Sequence, residues 1–458
     1  MKKFIFFMIL ALILCSCSTA NSKEMSTYYK LPAVHKTNLD TSLENNSFLY
    51  PIKVNSLYGF IDINGNTVIE PKYEKCDGIQ KGYYLAYTVD ENYTYNENEY
   101  TDPYNGTYLI GPGNKVLKLS DKSVYLSILS DKKNAIVYDG NQSYIIDVNS
   151  GKVLAKGDET SSIMPAFDDI YTVQDLNSNL YSIKNFNGDV LGEGYTSYDG
   201  VNENTIFLKK NDTAYWIDKT GNPFFSYDYC LYPSPFYHDI APIINYNSQL
   251  VFIDKNGNTL STYDNVTYVY RKNDIYFAST SDGIKIFDIN GNRKIDDSSY
   301  GTIQYDDPSS DFITSYNSAT RNFYVFDKNA NLMQNYKIPD GYTDPLLIQD
   351  NYIQLTKGTL YGIGIIKDNA VDWLLQPIYS SLYKNEKYIV VYKDSTQSYG
   401  LYDLANKKFI FDPYYKNIWA QDENMIQVDS AYFRGYINSA SNGEFVYVSP
   451  TYDFASDD

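Results

Sequence analysis

The sequence predicts an all-β protein: tandem three- to four-stranded antiparallel meanders packed propeller-like, with an open β-solenoid or superhelical array as the alternative arrangement. Three observations carry this. A short hairpin block recurs along the chain, β-branched and aromatic residues fill most of the strand positions, and almost no segment shows helical spacing of its apolar residues.

The block is clearest at residues 58–73, YGFIDINGNTVIEPKY. Asn64-Gly65 stands between two apolar runs, which suits a two-residue type I′ turn because both central residues must take positive φ. That register sets Ile63 opposite Asn66, Ile61 opposite Val68 and Phe60 opposite Ile69, and Pro71, with no N–H to donate, ends the second strand. The block returns as SYIIDVNSGKV (143–153), AYWIDKTGNPF (214–224), LVFIDKNGNTL (250–260), KIFDINGNRKI (285–295) and FYVFDKNANL (323–332). Weaker copies begin at Thr107, Leu180, Leu360, Tyr399 and Arg434. About eleven copies at a spacing of roughly 33 to 40 residues make this a repeat architecture.

The copies resemble the WG repeat of bacterial proteins, whose pattern is a Trp-Gly pair, an apolar-Asp strand end, a Gly turn and a strand closing in Pro-x-Tyr. Tyr58-Gly59, Asp62, Gly65, Pro71 and Tyr73 match it in the first copy. Tyr361-Gly362 with Pro377 and Tyr379, and Tyr399-Gly400 with Asp403, Pro413 and Tyr415, match it near the end. Tyr replaces Trp in these pairs, and the middle copies lack the Gly after it and the Pro-x-Tyr. The resemblance implies architecture and no shared reaction, so it supplies no active site.

A further alternating strand precedes many hairpins, at residues 83–88, 135–138, 205–209, 240–245, 275–279, 352–356, 388–393 and 425–428. Each unit is then a meander of three or four strands. A unit of this size cannot bury its own apolar face, so successive sheets must stack on one another. Propellers usually close at about four to eight blades, so the copies exceed one ordinary ring, and the sequence leaves closure open. The acidic, Tyr-rich residues 89–106 read as a protruding loop.

Three regions follow from this pattern: a signal peptide over residues 1–16, a flexible tether over 17–46, and the β-repeat region over 47–458. Lys2 and Lys3 precede an apolar run over residues 4–14, too short to span a bilayer as a helix. Leu14-Cys15-Ser16-Cys17 resembles the bacterial lipobox, which implies cleavage before Cys17 and lipidation of its sulfur. The tether is polar and without period. The expected location is therefore extracytoplasmic, on the bacterial cell membrane through an N-terminal lipid.

The formal net charge is −18, from 38 basic and 56 acidic residues. Such a surface repels nucleic acid and anionic lipid alike, so no nucleic-acid partner is expected and membrane attachment falls to the lipid. Once Cys15 leaves with the signal and Cys17 carries the lipid, Cys76 and Cys230 remain, in different repeats. They read as small buried residues rather than a disulfide framework.

The sequence supplies no catalytic constellation. The D-x-N-G-N loops at Asp62, Asp254 and Asp288 begin like an EF-hand loop, but Gly falls fourth rather than sixth and the twelfth position from Asp62 is Tyr73. Asx-turn chemistry accounts for them, so no metal or cofactor is expected. His238, in SPFYHDIAP, lacks a nucleophile elbow and reads as structural or exposed. The 50 tyrosines recur at equivalent strand positions (Tyr58, Tyr108, Tyr144, Tyr181, Tyr215, Tyr324, Tyr361, Tyr399), where a ring fills the space between sheets. Tyrosines outside those positions, over residues 93–104 and 230–237, are candidates for a recognition surface. No individual ligand-binding residue is assigned. The expectation is a binding module without enzymatic activity, for a protein or cell-envelope polysaccharide; the rival is a carbohydrate-active hydrolase with paired carboxylates in a central funnel.

Overall fold

The computed structural model describes residues 31–450 except 44–45, 81, 91–92, 94–101, 129–132, 168, 203–204, 281–282, 297–299, 305–311, 369, 386 and 423. Cys17 and the rest of the signal region, with most of the acidic loop after Val89, lie outside the described residues. Among those described, the chain forms eleven antiparallel sheets, ten of four strands and one of three, and in every sheet the strands follow chain order. The protein is all-β, built of meanders. Each hairpin block found in the sequence forms the last two strands of its sheet, as with Leu57–Ile61 and Thr67–Tyr73, or Leu250–Asp254 and Thr259–Tyr263.

The chain divides into two compact units, one of residues 1–121 with 383–458 and one of residues 122–382. In both, each apolar cluster bridges two successive sheets. Ile206, Leu208 and Ile217 meet Ile170, Ile183 and Tyr195 of the sheet before. Phe207, Ala214 and Trp216 meet Ala241, Ile243 and Ile253 of the sheet after. A second strand such as Thr205–Lys210 is thus buried on both faces, which is why it reads as an unbroken apolar run, while the fourth strand Pro223–Asp228 alternates and faces water. This is propeller-like packing, and it explains the tyrosines. Tyr73 meets Tyr108 of the next sheet at 5.4 Å between ring centroids, and Tyr195 meets Tyr215 at 6.0 Å.

In the first unit the stacking runs through the two ends of the repeat region. Phe48, Tyr50, Ile61 and Ile63 pack on Met425, Tyr436 and Val446. Part of the stretch read as a tether is seated here. Val34 bridges to Phe445, Thr37 Oγ1 donates to Asn64 Oδ1 at 2.6 Å, and Asn438 Nδ2 donates to Thr37 Oγ1 at 2.7 Å. A polar segment without period can be ordered when its backbone finds fixed side-chain partners, a signal that periodicity does not carry.

The first hairpin differs from its expected turn. Phe60 faces Ile69, but Ile61 faces Thr67 rather than Val68, and the Asp62 amide donates to the Asn66 carbonyl, leaving residues 63–65 as the loop. Gly65 has φ +82° while Asn64 has no positive φ, so the turn is not type I′. The Asp62 carboxylate decides it: Oδ1 accepts the Asn64 and Asn66 amides at 2.9 and 2.8 Å, which adds a residue to the loop. Nor does Pro71 end its strand. Thr67–Tyr73 continues through it at a bulge, where Tyr58 faces Tyr73 while Phe60 faces Ile69. A Cβ on Gly59 would lie 2.5 Å from the Ile69 carbonyl oxygen and 2.7 Å from the Pro71 nitrogen. Gly362 stands in the same relation to Pro377, and Gly400 to Pro413. The Tyr-Gly and Pro-x-Tyr pairs are two halves of one bulge.

Candidate functional site

In the second unit, the first strands of three successive sheets approach one another: Ser197–Asn202, Cys230–Tyr232 with the residues after it, and Val266–Lys272. Between them lies a cavity of about 370 Å³, whose lining includes Asp199, Pro233, Pro235, Pro242, Tyr268 and Tyr276. Each of these strands lies at an edge of its sheet. The segment after Cys230–Tyr232 is free of the sheet ladder because Pro233 and Pro235 cannot donate to one. Ser234 accepts the Trp216 indole N–H on its carbonyl at 2.8 Å, which ties this segment to the aromatic cluster of buried Trp216 with the half-buried Phe225 and Phe236.

Two charged residues, Asp199 and Arg271, line the cavity. Asp199 Oδ2 lies 3.1 Å from Lys209 Nζ, with the side chains 22% and 11% exposed. Lys209 also donates to the Leu231 carbonyl. Arg271, from the third strand, lies over the Tyr237 ring at 3.7 Å and donates to the Asn273 carbonyl at 2.9 Å, while the Tyr237 hydroxyl donates to Asp274 at 2.7 Å. Tyr268 stacks on Tyr270 at 6.0 Å, and Tyr270 on Phe277 at 4.9 Å and 8°. The result is a ladder of rings whose outer member, Tyr268, is 59% exposed. Tyr276 is buried, its hydroxyl has no hydrogen-bond partner among the described residues, and burial pushes its pKa up to about 12.

Of the candidate stretch 230–237, Pro233, Ser234 and Pro235 line the cavity, while its aromatic residues Tyr232, Phe236 and Tyr237 lie outside the lining. Cys230 is a buried free thiol whose pKa burial pushes up to about 12, and Cys76 is also free. His238 and Asp239 have φ +48° and +68°, and Tyr237 and Ile240 exchange both backbone hydrogen bonds around them. That is a type I′ turn. Asp239 pairs with Lys255, and the imidazole lies against Tyr237 at 4.3 Å. Of the other aromatic candidate, 93–104, residues 94–101 lie outside the described residues, while Tyr104 begins the strand Tyr104–Gly111 and lies against Tyr87 at 4.8 Å. In the turn loops Asp254 spends Oδ1 on the Asn256 and Asn258 amides and Oδ2 on the Asn258 side chain, and Asp288 does the same with Asn290 and Asn292.

Paired carboxylates for glycoside hydrolysis require a second acid. Among the residues lining this cavity Asp199 is the one carboxylate, and Lys209 neutralises it. The sequence did not single out Lys209, Tyr268 or Tyr276. A lysine at the end of the apolar run TIFLK, and tyrosines at alternate positions in YVYRK, were the available signals.

The WG containing repeat family matches residues 58–93. The chain carries a WG repeat. The matched WG repeat spans the last two strands of one sheet and the first two of the next, Lys75–Gln80 and Tyr83–Val89. It therefore holds inter-sheet packing within itself, with Phe60, Ile69 and Tyr73 against Tyr84 and Ala86. The chain is similar to several solved structures. BamB from Moraxella catarrhalis is 11% identical, with 71% of this chain and 97% of that one covered and a TM-score of 0.33. A eukaryotic initiation factor is 11% identical, with 81% and 96% covered and a TM-score of 0.41. Hsv2p of Kluyveromyces lactis is 14% identical, with 55% and 95% covered and a TM-score of 0.30. No curated protein sequence matches. Among the described residues no helix is long and apolar enough to cross a membrane.

Proposed function

We propose that this WG-repeat chain is a binding module without enzymatic activity, held outside the cytoplasm by an acyl group on Cys17, and that it captures a protein partner at the cavity between residues 197–202, 230–235 and 266–272. The observation that carries this reading is the cavity's construction from three successive edge strands, with aromatic and proline walls and an internally neutralised Asp199–Lys209 pair. At about 370 Å³ the cavity falls in the size range of sites that take a small ligand or a short stretch of chain, and it combines aromatic and proline side chains with the polar Asp199, Ser234 and Arg271. Exposed Tyr268 offers large ring area at low entropy cost. The lipobox supports the anchor, and the acidic surface supports a partner that is not nucleic acid.

A photo-crosslinking amino acid placed at Tyr268 in living cells tests the capture. A discrete adduct with one envelope protein, absent when the probe stands at exposed Leu332, is expected; identical diffuse adducts from both positions would defeat the proposal. For the anchor, Cys17→Ser is expected to abolish labelling by a palmitate analogue and release the chain from the membrane fraction. An unmodified Cys17 at the mature amino terminus would remove the lipid and leave the cavity reading intact.

A further inference from the structure

We infer that the cavity receives a proline-bearing, extended segment of the partner, with a pyrrolidine ring laid on Tyr268 and a peptide carbonyl accepting a hydrogen bond from the Tyr276 hydroxyl; this rests on the reading of the cavity as a protein-binding site. Three features lead there.

The first is the ring ladder. Tyr268, Tyr270 and Phe277 stack in sequence, so the outer ring is held at a fixed tilt by the two behind it. Proline presents a flat apolar ring with little freedom to lose, and polyproline II segments dock on aromatic-lined grooves for that reason.

The second is the donor and acceptor balance. The lining carboxylate pairs with Lys209 through Oδ2, and Pro233, Pro235 and Pro242 have no N–H to offer. The Tyr276 hydroxyl lacks an acceptor. A buried hydroxyl without a partner is costly, and a ligand carbonyl satisfies it on binding after a small shift of the ring. Polyproline II has no internal hydrogen bonds, so its carbonyls are available, and its proline nitrogens ask for no acceptor in return. A sugar ring would stack on Tyr268 equally well, so an oligosaccharide is the necessary comparison ligand.

The third is charge. Asp199 is paired with Lys209; the other charged lining residue, Arg271, lies over the Tyr237 ring, and the net charge of −18 disfavours an acidic ligand. The volume of about 370 Å³ lies at the small end for ligand pockets, so it takes a short stretch of chain.

Isothermal titration of the full chain with synthetic decaproline tests the assignment, with an equal-length alanine-based peptide and an N-acetylglucosamine hexamer as comparisons. Saturable decaproline binding is expected. It should weaken about fivefold in Tyr276→Phe, as for one lost hydrogen bond, and further in Tyr268→Ala. Tyr276→Phe should melt no lower than the parent, because it removes a hydroxyl without a partner. Absence of saturable decaproline binding, or binding indifferent to both substitutions, would overturn the inference. Binding of the hexamer alone, sensitive to Tyr268→Ala, would overturn it in favour of a glycan. The crosslinking experiment at Tyr268 reads the protein partner separately, so failure of this assignment and failure of the proposed function are distinguishable.

Discussion

Asn64 and Leu39 grip each other twice: Asn64 Oδ1 accepts the Leu39 amide at 2.7 Å, and Asn64 Nδ2 donates to the Leu39 carbonyl at 2.9 Å. A side-chain amide here replaces a neighbouring strand, satisfying both backbone groups of one residue in a segment that belongs to no sheet. Asn438 completes the clasp from the last sheet, donating to Thr37 Oγ1 and to the Ile63 carbonyl, each at 2.7 Å. The three segments meet where the two ends of the repeat region pack together, so the clasp fastens a junction that no covalent continuity secures.

Removing the clasp should loosen that junction first. Asn438→Ala leaves the Ile63 carbonyl and the Thr37 hydroxyl without their donor, and is expected to cost about 2 kcal/mol in urea unfolding. Hydrogen exchange should show residues 34–39 losing protection before the rest of the first unit. Unchanged protection there would show that the clasp carries no stability.

The bulge of the first repeat gives a second test. In Gly59→Ala the new methyl would meet the Ile69 carbonyl and Pro71, which are backbone and ring atoms with no rotamer to yield. A loss of about 2 kcal/mol is expected, by analogy with other overpacked sites. Gly113→Ala, with open space around its position but φ +70°, should cost less, about 1 kcal/mol, through backbone strain alone. Thermal melts of the two variants compare the effects.

Asp199 and Lys209 should be coupled. Asp199→Ala leaves a lysine whose side chain is 11% exposed without its carboxylate, at an expected cost of about 3 kcal/mol. Adding Lys209→Met should recover most of that loss, and a double-mutant cycle measures the recovery. A double variant as unstable as the sum of the singles would show that the pair does not interact.

Stability should decline at both extremes of pH. The Asn258 side chain and amide hold the Asp254 carboxyl below its ordinary 3.8, and Asn331 does the same to Asp327. A depressed folded pKa contributes stability that is present above about pH 4 and lost as pH falls through the folded values. Burial, with Tyr108 beside it, pushes Tyr73 up to about 12. A raised pKa works in the opposite sense, with its contribution full below pH 10 and lost as pH rises toward 12. Melting temperature against pH should therefore form a plateau. Asp254→Asn should flatten the acid arm, and Tyr73→Phe the alkaline arm.

How much of this was legible depended on how local each cause is. The eight intervening strands read as alternating, and the structure shows what that reading misses, burial on both faces, as in Tyr388–Lys393. The first strands of the sheets were harder to read: Lys75–Gln80 and Asn417–Ala420 lie at sheet edges, where half-exposed positions accept polar residues and dilute the alternation. The cavity was half visible. Pro233 and Pro235 of its lining stood out in the sequence, while Lys209 and Tyr276 belong to ordinary second strands and become site residues only because a neighbouring sheet brings an edge beside them.

By itself the sequence determined the all-β class, the number of hairpin blocks and the stacking of small sheets, because turn chemistry and apolar alternation act over a few neighbouring residues. Tertiary structure decided what those signals could not carry: that Asn64 grips Leu39 across 25 positions instead of forming a type I′ turn, that Gly59 yields space to Pro71, and that three sheet edges enclose a cavity. Each depends on atoms distant in sequence meeting within a few ångströms, and a linear pattern holds no record of that distance until the sheets have packed.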